Sequence, residues 1–63
     1  MATAQMVTYR VKEAARVLSL SERTVWNLVN SGQLRSFTIG ARMRLISAAE
    51  IERFVSEREA ASN

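Results

Sequence analysis

The chain has 63 residues, enough for one small domain and too few to bury more than about 60% of its unfolded surface. It contains no cysteine, histidine or aspartate, so the usual disulfide, zinc ligand, general base and triad partner are all missing, and no enzyme, metal or cofactor site is expected. The net charge of +3 is split: Arg10, Lys12, Arg16, Arg23, Arg35, Arg42 and Arg44 against Glu13 and Glu22 give residues 1–46 a balance of +5, while Arg53 and Arg58 against Glu50, Glu52, Glu57 and Glu59 give residues 47–63 a balance of −2.

Residues 1–8 lack apolar periodicity and are expected to form a flexible N-terminal arm. Val11, Ala14, Ala15 and Leu18 then fall at i, i+3, i+4 and i+7, one face of a helix of about two turns. Ser19-Leu20-Ser21 breaks it. Ser21 reads as the N-cap of a second helix, with Leu20 and Val25 at the positions of a hydrophobic staple. Val25, Leu28 and Val29 form the buried stripe of that helix, and Gly32 is its natural left-handed end.

The period changes over residues 35–46. Phe37 and Ile39 alternate with Ser36 and Thr38, and Met43 and Leu45 alternate with Arg42 and Arg44. Gly40-Ala41 between them suits a two-residue type II′ turn, so a β-hairpin is predicted, with its apolar face on the helices. Ser47-Ala48-Ala49-Glu50 is a capping box, and Ile46 and Ile51 supply a second staple. Ala48, Ile51, Phe54 and Val55 line a third helix running to about Glu59, and residues 60–63 are expected to fray. The whole is mainly α with a β-hairpin: helix, tight turn, helix, hairpin, helix, as one domain over residues 9–59.

Two short helices joined by about three residues, the second one capped, make a helix-turn-helix, and the hairpin after it would be a wing. Eight of the nine basic residues are arginine, the side chain best suited to phosphate and guanine, so a polyanion is the expected partner. No apolar run approaches the roughly 18 residues of a membrane span, and residues 1–6 do not read as a signal peptide. A cytoplasmic protein without a membrane partner is expected.

Val11-Lys12-Glu13-Ala14-Ala15-Arg16-Val17-Leu18, then Leu20-Ser21, Arg23-Thr24-Val25-Trp26, Ser31-Gly32, and Ile39-Gly40 with Arg42 and Arg44 resemble the excisionase-type helix-turn-helix domain, which is related to the MerR-type winged DNA-binding domains. The resemblance spans roughly residues 8–56. It implies a winged helix-turn-helix with its second helix in the major groove and its wing against the minor groove. Many members are phage or plasmid excisionases, also called recombination directionality factors, and others are small transcription regulators. One departure is Arg10, where the family usually has a Ser or Thr cap; Thr8 can cap from further back. MerR regulators append a dimerisation coiled coil and an effector domain, and a bare domain suits an excisionase better.

The first turns of the second helix of a helix-turn-helix meet base edges. Arg23 can fork onto guanine or clamp a phosphate, and Asn27, one turn on, can pair with adenine. Glu22 either reads DNA or complements the helix dipole. Thr24 bonds either the local backbone, beside Ser21, or a phosphate. Trp26 is either a half-buried core residue or an apolar body against the DNA backbone with its indole N–H on a phosphate. Arg42 at the hairpin tip suits a narrow minor groove. Arg44 either joins it or bridges to a glutamate of the third helix, and Arg10 and Lys12 are candidate phosphate contacts. Arg53 and Arg58 sit among the glutamates of the third helix and are read as helix-surface ion pairs, Arg53 lying three residues from Glu50 and four from Glu57.

The expected function is that of an excisionase, which binds and bends double-stranded DNA so that an integrase recombines in the excisive direction. The integrase and further copies of the chain on adjacent sites are the expected partners, in a bacterial host cell. The alternatives are a small transcription regulator of the same fold and a protein-interaction module that uses the acidic third helix.

Overall fold

A computed structural model describes residues 7–62. The elements in chain order are β1 (Thr8–Arg10), α1 (Val11–Leu18), α2 (Glu22–Asn30), β2 (Phe37–Ile39), β3 (Met43–Ser47) and α3 (Ala48–Ser62). The three helices and the hairpin lie where the periodicity predicts them. The strand β1 is additional. Its three residues are too few to show alternation, and only their pairing with β3 makes them a strand: Thr8 lies opposite Ser47, Tyr9 opposite Ile46 and Arg10 opposite Leu45. The sheet is antiparallel with β3 in the centre, in the order β1-β3-β2. Of the arm expected over residues 1–8, residues 1–6 lie outside the described part, and Thr8 opens a strand instead of capping α1.

The two ends that frame α1 and α2 are built by the backbone. At the start of α1 the Glu13 carboxylate accepts from the Arg10 N–H at 3.0 Å, the glutamate half of a capping box, while the half that a Ser or Thr cap would supply is absent. At its end Ser19 takes a left-handed conformation, φ 59°, while its N–H donates to the Arg16 carbonyl and that of Leu20 to the Ala15 carbonyl. Two such bonds across a left-handed residue form a Schellman motif. The end of α2 repeats it with the expected glycine: Gly32 has φ 84°, and the N–H groups of Gly32 and Gln33 donate to Val29 and Leu28. Ser21 caps α2, its hydroxyl oxygen accepting from the Thr24 N–H at 3.1 Å.

The buried core joins Val11, Ala14 and Ala15 of α1, Val25 of α2, Leu34, Ile46 of β3 and Ile51 of α3, with Tyr9, Leu18, Leu28, Val29 and Phe54 packed around it. Ile46 and Ile51, the predicted staple, meet in this cluster. Leu20 remains exposed while Val25 is buried, so that pair does not close in the same way. Leu34 is fully buried although it lies between the predicted elements and belongs to no periodic stripe. Val55 faces solvent, contrary to its expected place in the buried stripe of α3.

Three further expectations are corrected. Ile39 pairs with Met43, so Gly40, Ala41 and Arg42 all lie in the hairpin loop, which is one residue longer than the predicted turn. The apolar face of the hairpin is buried only at its base, at Leu45 and Ile46; Phe37, Ile39 and Met43 are exposed because the hairpin reaches beyond the helices. The helix α3 continues through Ser62, past the expected fraying point, and the Ser62 hydroxyl donates to the Arg58 carbonyl at 2.8 Å.

Candidate nucleic-acid interface

The Schellman turn at Ser19 and the cap at Ser21 set α2 against α1 with two residues, Leu20 and Ser21, beyond the turn. This leaves Glu22, Arg23, Thr24, Trp26, Asn27 and Asn30 on the open side of α2. Helical spacing divides them: Glu22 and Trp26 form one stripe, and Arg23, Asn27 and Asn30 form the next. The central strand β3 carries the hairpin out beside this helix. Between α2, the hairpin and the start of α1 runs an open cleft of about 540 Å³.

Its walls gather residues from both ends of the basic segment. Arg10, Val11 and Lys12 come from the β1–α1 junction, Glu22 and Trp26 from α2, and Ile39, Ala41, Arg42, Met43 and Arg44 from the wing. Four cations thus face one carboxylate. An Arg10 amino group lies 3.9 Å from the Met43 sulfur, which draws the β1–α1 junction and the wing together. The Arg44 guanidinium donates to the Ser36 hydroxyl at 2.8 Å, which braces it along the wing. It makes no bridge to a glutamate of α3, one of its two expected alternatives.

The remaining candidates lie outside the cleft walls. Arg23 and Asn27 are exposed on the neighbouring stripe of α2. Thr24 and Ser21 bond to each other, their hydroxyl oxygens 2.8 Å apart, so both have a local partner at the cap. Trp26, by contrast on the cleft wall, is 39% exposed, which makes it part of the surface and not of the core. Sequence reasoning missed Ile39 and Met43 as site residues. Their alternation with polar neighbours marks one face of a hairpin, but alternation does not reveal how far that face extends beyond the helices that cover it.

A separate cluster holds α3 in place. Glu50 accepts from the Arg35 backbone N–H at 2.9 Å and from the Arg53 guanidinium, through Nε at 2.9 Å. Arg53 also reaches Glu57 at 2.7 Å and the Gln33 carbonyl at 3.2 Å. The Arg53 hydrogen bond, joined by that of the Arg35 N–H, holds the Glu50 carboxyl below its ordinary value, against the opposing effect of burial. The two glutamates in turn raise the pKa of Arg53. Ser47 supplies its half of the capping box, accepting from the Glu50 N–H at 3.1 Å, but the Glu50 side chain is drawn to Arg35 and Arg53 and the reciprocal half does not form. Arg58 does not make its expected ion pair: its guanidinium donates to the Gln33 side-chain oxygen and lies 4.9 Å over the Phe54 ring.

Helix, tight turn, helix, wing and a cationic cleft between helix and wing together define a winged helix-turn-helix. Comparison with known families agrees: the model of the family described as "Helix-turn-helix domain" matches residues 8–59. The chain belongs to that family, a DNA-binding domain family that includes excisionase-like proteins. Comparison with curated proteins and with solved structures gives no match. No helix among the described residues is long and apolar enough to cross a membrane.

Proposed function

We propose that this DNA-binding domain acts as an excisionase, an accessory factor that bends duplex DNA so that an integrase recombines in the excisive direction. The observation that carries the DNA geometry is the cleft, where Arg10, Lys12, Arg42 and Arg44 gather against Glu22 alone. A DNA strand seated there has α2 on its major-groove side and the wing on its minor-groove side. Arg23 and Asn27 then face base edges, and Arg42 reaches into the minor groove. The residues from Val11 to Arg44 resemble the excisionase type, a resemblance that small transcription regulators of the same fold share, so DNA bending and cooperativity are what separate the two roles.

One domain of this size presents few base-reading side chains, and each correct base contributes about 1–3 kcal/mol. Neighbouring copies on adjacent sites add the missing discrimination. Glu52 and Glu59 are exposed on α3, whereas Glu50 is already engaged by Arg35 and Arg53, so the first two are the side chains to face an arginine of the next copy. Such a contact is head to tail and does not close, so it runs along the duplex. The test is a titration of duplexes carrying one, two or three copies of a selected site, with circularly permuted fragments to report the bend. Cooperative binding and a bend that grows with site number are expected. Independent binding on a straight duplex would remove the architectural role and favour the regulator.

A further inference from the structure

The cleft carries more apolar surface than phosphate binding requires. Trp26, Ile39 and Met43 line it while 39%, 56% and 39% exposed, respectively. Cations alone would serve a phosphate, and apolar side chains left in water stabilise nothing. The cleft is open and not an enclosed cavity, which suits a continuous chain better than a buried small molecule. Its occupant is therefore best matched by an extended molecule that offers both anionic groups and carbon surface to this mixed lining. A DNA strand offers both: phosphates separated by deoxyribose rings whose C2′ carries only hydrogen.

We propose that Ile39 and Met43, with Trp26 opposite them, form a sugar-reading floor that accepts deoxyribose and rejects ribose. This rests on the reading in which α2 and the wing straddle one strand of the duplex. Ile39 and Met43 face each other across the hairpin, so together they present one apolar step on the wing. The wing is the minor-groove element, and the minor groove is where a 2′-hydroxyl projects. A ribose at this step brings a hydroxyl against Ile39, which has no polar atom, and Met43, whose sulfur is only a weak acceptor and already faces Arg10. Among the described residues the cleft has one carboxylate, Glu22, and it belongs to α2, on the major-groove side. A polar group desolvated without a partner weakens the complex, so the floor selects DNA over RNA at one or two defined nucleotides.

The experiment uses the full chain and a duplex that it enriches from a random DNA pool. Single ribonucleotides are introduced along each strand, and binding is followed by fluorescence anisotropy. A loss of about tenfold is expected at one or two adjacent positions facing the wing, with little change elsewhere. Two controls separate the hydroxyl from its side effects. A 2′-fluoro nucleotide at the same position, which favours the sugar pucker of ribose without a hydroxyl proton, should bind nearly as well as DNA. Ile39→Ser with Met43→Ser, at positions already exposed, should leave the fold intact and shrink the ribose loss to about twofold or less by offering it partners. Equal binding at every ribose position overturns the proposal. So does an equal loss with 2′-fluoro, or a ribose loss that the double variant leaves unchanged. Failure to enrich any duplex overturns the DNA-straddling reading itself, and the proposal with it.

Discussion

Ser19 and Gly32 occupy equivalent places at the ends of α1 and α2, both left-handed and both inside a Schellman motif. A side chain at that conformation costs about 1–2 kcal/mol, which glycine avoids, at the expense of a freer unfolded chain. Ser19→Gly is therefore expected to stabilise the domain by about 0.5–1 kcal/mol and raise Tm by about 2–8 °C. Gly32→Ala should do the reverse. A Cβ at Gly32 meets nothing within 4 Å, so the loss reports the backbone dihedral alone. Thermal unfolding of both variants measures it; an unstable Ser19→Gly would mean that the serine side chain contributes more than the strain costs. Glu50 gives a second expectation at this scale. Its pKa is depressed in the folded state, so its ion pair stabilises the fold above its ordinary value of 4.5, and that contribution is lost as pH falls through the lower folded value. Glu50→Gln should thus differ most from the parent at neutral pH and converge with it in acid. Denaturant midpoints across that range would show a constant gap instead if the residue acted only by shape.

Among the elements, α2 and the wing divide the contacts with DNA between them in the proposed reading. Arg23 is exposed on α2 outside the cleft, whereas Arg42 lies in the hairpin loop on the cleft wall. Arg23→Ala is expected to cost about 1–3 kcal/mol on the preferred site and little on scrambled duplex, because a guanine contact is lost. Arg42→Ala should weaken binding most where the flank is A·T-rich, because the narrow groove there concentrates negative potential. Isotherms on matched, scrambled and G·C-flanked duplexes check both. Uniform losses for both variants would assign both arginines to phosphate contact alone. The helix α3 stands apart from this division: its Arg53 is engaged by Glu50, Glu57 and the Gln33 carbonyl, which ties α3 to the turn after α2.

For the whole molecule the decisive quantity is the number of cations that meet phosphate. The cleft gathers four. Counterion release then predicts that log K falls with log salt with a slope of about −4, steeper by about one if Arg23 also meets a phosphate. Arg53→Ala should leave the slope unchanged, since that guanidinium is already paired, while Lys12→Ala should lower its magnitude by about one. Titrations at several salt concentrations measure this, and a slope near zero would be incompatible with the cleft as the DNA seat.

The helices, the two caps of α2 and the hairpin were legible in the chain because each rests on contacts between near neighbours. Ser21 bonds three residues ahead, Gly32 closes its own helix, and the stripes Val11-Ala14-Ala15 and Val25-Leu28-Val29 repeat with the helical period. The charge split between residues 1–46 and 47–63 likewise belongs to composition and needs no fold. The cleft does not have this character. Arg10 and Met43 are 33 residues apart and meet only because β1 pairs with β3, a strand too short to announce itself. The same holds for Leu34, which is buried without periodicity, and for Glu50, whose side chain leaves the capping box for Arg35 and Arg53. Ile39 and Met43 alternate like core residues, yet they lie outside the core because the sheet extends past the helices. Local spacing specifies which face of an element is apolar; what that face meets depends on distant pairings, and these exist only once the chain has folded.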